Sequence, residues 1–247
     1  MNWLLVAATV VALLLLQGVR SFGHANAQQL FLRLFGRNLV ALWLYALFML
    51  PGTLLHEVAH VLAAFLLGVE VRGISLRPVL QEEEVILGAV ESERTDMLRD
   101  GLVGLAPLMA GTVVISLIGM TTFGLEEAYR LMTAGQWFDA LKTLTASLGH
   151  WRGWVNLYFV FVISLNMFPS PTDRRAWLPV GLLILLLVGL AGMVGLLRVV
   201  LEEAAVLINT LFGWFLLVLG FTLLIDLIAL FLLIALHEAV AKQFGPP

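Results

Sequence analysis

The chain has no cysteine in 247 residues, so it is not a disulfide-held secreted scaffold. Charge is scarce as well, at 13% Asp, Glu, Lys and Arg, about half the usual share for a soluble domain. The net charge is -3 and no basic block interrupts the chain, which excludes a nucleic-acid-binding module. No internal repeat or low-complexity tract is present.

What fills the chain instead is apolar. Hydrophobic residues make up 61%, before the 22 glycines are counted. Uncharged stretches at 1-19, 38-55, 101-125, 153-172, 176-197 and 204-225 approach or exceed the roughly 18 residues that mark a spanning helix. The expected fold is an all-α polytopic membrane protein of six transmembrane helices. Ala25-Asn26-Ala27 resembles a cleavage site after the first stretch. No Lys or Arg precedes that stretch, as a signal peptide requires, so it is expected to remain as a helix.

Polar residues between the spans divide the chain into 1-37, a core over 38-175, and a C-terminal pair of helices over 176-247. Residues 70-100 hold a concentration of charge that no spanning helix tolerates, including Glu82-Glu83-Glu84, read as a solvated turn. Val69-Glu70-Val71-Arg72 and Ile74-Ser75-Leu76-Arg77 alternate apolar and polar, and Val85-Ile86-Leu87 follows, which predicts a small β-hairpin beside the membrane. In 124-152, Leu125, Tyr129 and Met132, then Leu141, Leu144 and Leu148, recur at helical spacing around Gly135 and predict two short amphipathic helices. Trp137, Trp151 and Trp154 flank the next span, where indoles commonly meet the headgroups. Six alternating crossings put Met1, the 70-100 insert, the 173-175 turn and the C-terminus on one side. Seven Lys or Arg then fall on each side, so charge bias orients nothing.

Chemistry concentrates in His56-Glu57-Val58-Ala59-His60. Two histidines at i and i+4 share a helical face and reach one metal ion. In zinc hydrolases of this pattern the glutamate takes a proton from an acidified water. Three ionisable side chains within five residues of a membrane helix are expensive unless bound to something. Two histidines leave a tetrahedral zinc one protein ligand short, and Asp173, Asp226, His237 and Glu238 are the candidates. His56 lies about 27 Å along its segment, near the end to which the fourth span also leads, so Asp173 shares its depth. Pro169 and Pro171 break the fourth span and free Asp173 to turn inward. Depth leaves Asp226 open. Asp226 alternatively pairs with a polar neighbour, His237-Glu238 reads as interfacial, and His24 and His150 fall in polar connections with no assigned role.

The passage Leu54-Leu55-His56-Glu57-Val58-Ala59-His60, followed by Leu67-Gly68-Val69-Glu70-Val71 and Ile74-Ser75-Leu76, resembles the site-2 proteases, intramembrane zinc metalloproteases. Gly104-Leu105-Ala106-Pro107-Leu108 is similar to the start of that family's next core helix. Asn166-Met167-Phe168-Pro169-Ser170-Pro171-Thr172-Asp173 is similar to its second motif, with Arg174 where the family has glycine. The resemblance covers roughly 40-175. It implies one Zn2+ ion on His56, His60 and Asp173, catalysis by Glu57, and Asn166 as a ligand for substrate backbone or oxyanion, with a helix-helix hydrogen bond as the alternative for that amide. It further implies a substrate with a transmembrane segment, held by strand addition on the 70-90 hairpin, and a bacterial or archaeal cell membrane with the site towards the cytoplasm. The rival readings are a metal-binding scaffold or transporter, and a prenyl-protein-type peptidase with Glu238 as third ligand.

Overall fold

A computed structural model describes residues 2-36, 39-81, 84-93, 95-193 and 195-244. Among the described residues there are eight α-helices: α1 (Trp3–Phe35), α2 (Leu39–Leu67), α3 (Met97–Thr122), α4 (Leu125–Thr133), α5 (Trp137–Ala146), α6 (Trp151–Met167), α7 (Trp177–Met193) and α8 (Leu196–Phe244). Among the described residues, five helical segments are long and apolar enough to cross a membrane: α1, α2, α3, Asp173–Met193, which includes α7, and Ala204–Lys242 within α8. Apolar side chains such as Leu178, Leu185 and Phe65 point outward from these helices. In water that would be costly. Against lipid tails it is not, and the chain is an integral membrane protein.

Three helices build the centre. Along α2 and α6 the partners advance together, from Tyr158 donating to the Phe48 carbonyl at 2.7 Å to Thr53 donating to Asn166 Oδ1 at 3.4 Å, so the two run parallel. α3 runs antiparallel to α6, with Asn156 bonded to Thr122 at one end and Gly111 against Met167 at the other. Small residues permit this closeness, as in other membrane helix pairs. A methyl group at Gly52 would lie 2.0 Å from the Val162 carbonyl oxygen.

Between α2 and α3 the chain leaves the helical layer. Gly68, at φ 66°, ends α2 in the left-handed region that glycine adopts without strain. β1 (Val71–Ser75) pairs antiparallel with β4 (Ala89–Ser92), and β2 (Val79–Gln81) with β3 (Glu84–Ile86). The two runs expected at 69-72 and 74-77 form one strand, irregular between Val71 and Gly73. Glu82 and Glu83, expected in a solvated turn, lie outside the described residues. Asp96 caps α3, accepting from the backbone N–H groups of Leu98 and Arg99. The 124-152 stretch forms α4 and α5, with Gly135 at φ 78° between them.

Two expectations about α1 are corrected. Residues 20-35 are helix rather than connection: Arg20 and His24 donate to the Leu165 carbonyl of α6, while Ser21 and Asn26 donate to carbonyls of α1 itself. Six alternating crossings would also oppose the first and last helices. Here α1 and α8 run parallel: Asn2 N–H donates to Asn209 Oδ1 at 2.9 Å, and Ala27 shares a cluster with Ala229. Asn2 and Phe244 therefore fall at opposite ends of this pair.

Candidate metal centre

α2 places the imidazoles of His56 and His60 one turn apart, with ring centroids 4.7 Å from each other. His56 Nδ1 donates to the Asn166 carbonyl at 2.6 Å and His60 Nδ1 to the Val103 carbonyl at 3.0 Å. A carbonyl only accepts, so both Nδ1 atoms carry the hydrogen, and in the neutral ring each Nε2 then presents a lone pair. Those Nε2 atoms are 3.1 Å apart.

The third group arrives from the other end of the core. α6 stops at Met167, before Pro169, and the chain turns through Ser170 into a short 3-10 helix, Asp173–Ala176. Ser170 N–H donates to Asp173 Oδ2 at 2.7 Å, and Asp173 N–H donates to Ser170 Oγ at 3.2 Å. Arg175 ties the turn to α3 by an ion pair with Asp100 at 3.0 Å. Asp173 Oδ1 then lies 3.3 Å from His60 Nε2, and Oδ2 lies 3.8 Å from His56 Nε2. Ligands at about 2.0–2.2 Å from a tetrahedral ion stand about 3.3–3.6 Å apart; the separations here, 3.1, 3.3 and 3.8 Å, bracket that range and need shifts of a few tenths of an ångström to reach it. The group His56, His60 and Asp173 can hold an ion.

Glycine makes room for the aspartate. A methyl group at Gly104 would sit 2.1 Å from the Asp173 carbonyl oxygen, far inside contact distance. Gly104→Ala should push the turn away from α2 and weaken metal binding about 10–100-fold, comparable to loss of an outer partner. Metal titration of the purified variant checks this, and wild-type affinity would show that the turn relaxes at no cost.

Glu57 is 5% exposed and sits beneath the strand connection, where a methyl group at Gly88 would be 2.8 Å from its Oε1. Sequence reasoning missed Gly88, because nothing local links it to Glu57. The Asn166 amide lies in the seam between α2 and α6, donating to the Val162 carbonyl at 2.8 Å and accepting from Thr53. Its backbone carbonyl, rather than its side chain, meets His56. Asp226 Oδ1 accepts from Ser164 Oγ at 2.6 Å in a buried pair and stands apart from the metal group. Glu238 is exposed and His237 partly buried near the end of α8; neither joins the centre. His150 is exposed. His24 is not in a connection: it bridges Tyr45 Oη at 2.7 Å and the Leu165 carbonyl at 3.0 Å.

No protein-family model, no curated protein and no solved structure matches this chain.

Proposed function

We propose that the chain is a zinc-dependent intramembrane endopeptidase. The observation that carries this reading is the convergence of two imidazole nitrogens and one carboxylate, all within 4.8 Å of one another, beside a buried glutamate in an apolar helix. An N,N,O donor set suits zinc and leaves a fourth position open for water or substrate. Zinc bound there would supply Lewis acidity and bring the pKa of a water to near 7.

This chain's own residues do the rest. The Asn166 and Val103 carbonyls hold the two imidazoles in the tautomer that turns Nε2 inward. Ser170 and Gly104 fix the approach of Asp173. Glu57 accepts a proton at its carboxylate from the attacking water and returns it to the leaving amine. A transmembrane substrate must unwind before its carbonyls are accessible, and an edge of the β1–β4 pair, linked to Glu57 through Gly88, can accept the unwound segment as an added strand. α6 enters this reading as a further membrane-embedded helix, the one that carries the Asp173 turn.

The direct test is cleavage of a membrane-spanning test substrate by the purified protein in bilayers, before and after zinc is removed with a chelator and restored. Cleavage that stops on removal and returns with zinc supports the reading; metal binding without cleavage of varied substrates favours a scaffold or transporter. The site is further proposed to face the cytoplasm. Since no native cysteine competes, an impermeant thiol reagent applied to intact cells should label Asp139→Cys and spare Glu93→Cys. The opposite pattern reverses the orientation.

A further inference from the structure

The C-terminal end of α6 has a donor shortage that its own sequence creates. In a helix the last four carbonyls lack an intrahelical N–H. Here the usual continuation is blocked as well, because the residue four after Leu165 is Pro169, which has no N–H. The residue four after Asn166 is Ser170, whose N–H is taken by Asp173 Oδ2. Two carbonyls are thus left without helical backbone donors inside a membrane protein, where no water is at hand to satisfy them.

Side chains from two other helices fill the gap. The Asn166 carbonyl accepts from His56. The Leu165 carbonyl accepts from two residues of α1, Arg20 Nε at 2.9 Å and His24 Nε2 at 3.0 Å. Because that carbonyl only accepts, His24 Nε2 carries the hydrogen, and His24 Nδ1 accepts from the Tyr45 hydroxyl of α2 at 2.7 Å. Close packing holds this arrangement in place, since a methyl group at Gly23 would lie 2.8 Å from the Leu165 side chain.

We propose that Arg20 and His24 are positioning residues of the metal centre: by holding the Leu165 carbonyl they set the end of α6, and with it the adjacent Asn166 carbonyl that orients His56. A helix end relieved of these two donors would turn its carbonyl towards another partner, and the neighbouring peptide would rotate with it. The His56 imidazole would then lose its fixed direction towards Asp173. Outer partners of metal-bound histidines act in this way and typically change affinity about 10–100-fold. The inference rests on the metal-centre reading and not on peptide cleavage.

The test uses the full chain in detergent or bilayers loaded with Co2+, whose visible spectrum reports ligand geometry. His24→Ala is expected to alter the spectrum and weaken Co2+ binding about ten-fold. His24→Gln, whose amide can donate to the same carbonyl, should restore both. Ser164→Ala removes the α6–α8 bond but neither donor to Leu165, and should leave the spectrum as in wild type. Should His24→Ala fail to fold, Arg20→Met, which removes the other donor to that carbonyl, carries the same comparison, with a shift in the same direction expected. Wild-type spectrum and affinity in His24→Ala, or an equal shift in Ser164→Ala, would overturn the inference and leave the metal reading standing. Absence of Co2+ and Zn2+ binding in wild type would overturn both.

Discussion

Glu57→Gln is expected to abolish measurable peptide cleavage while the fold and the bound metal persist. Glutamine is nearly isosteric, so it fits the buried position against Thr53 and Gly88, but it cannot accept a proton from water. General acid-base assistance contributes about 10²–10⁴-fold, so the loss should be visible in any assay with that range. A glutamate that merely balanced the metal's charge would behave differently, because its replacement would lower zinc occupancy together with the rate. The measurement is therefore cleavage by wild type and Glu57→Gln at equal zinc occupancy. Equal rates would remove Glu57 from the chemistry.

The second large effect is loss of metal on truncation of a ligand. His56→Ala and Asp173→Ala each remove one of three donors whose atoms all lie within 4.8 Å of one another. Affinity should fall by more than the roughly 10–100-fold that loss of an outer partner causes. Asp226→Ala should keep its metal, since that carboxylate is engaged with Ser164 on the α6–α8 contact. Metal analysis of the three purified variants separates the possibilities. Retained metal in Asp173→Ala with loss in Asp226→Ala would move the third-ligand role to α8.

Much of the candidate site was legible in the sequence, for physical reasons. The His56–His60 pair is local: a helical repeat of 3.6 residues places i and i+4 on one face whatever surrounds them. Apolar length alone identifies helices that can cross a bilayer, because lipid imposes the length. Pro169 and Pro171 announce the end of α6 through their missing N–H groups, which is how Asp173 becomes free to turn. His24 was misread for the complementary reason. A histidine amid Gln17, Arg20 and Ser21 has the composition of a connection, and only the approach of α2 and α6 supplies its partners.

By itself, then, the sequence determined the class of the protein, the face of α2 that carries the histidines, and a short set of third ligands, because each follows from a local period, a local length or a local backbone restriction. Tertiary structure decided which acid stands with the histidines in a group able to hold an ion, with Asp173 against His60 and Asp226 against Ser164. It also decided that α1 and α8 run parallel, that Gly104 and Gly88 stand against Asp173 and Glu57, and that α1 holds the end of α6. These are contacts between segments far apart in the chain. They depend on how ridges, glycines and orphaned carbonyls on separate helices meet, and no local pattern encodes that meeting.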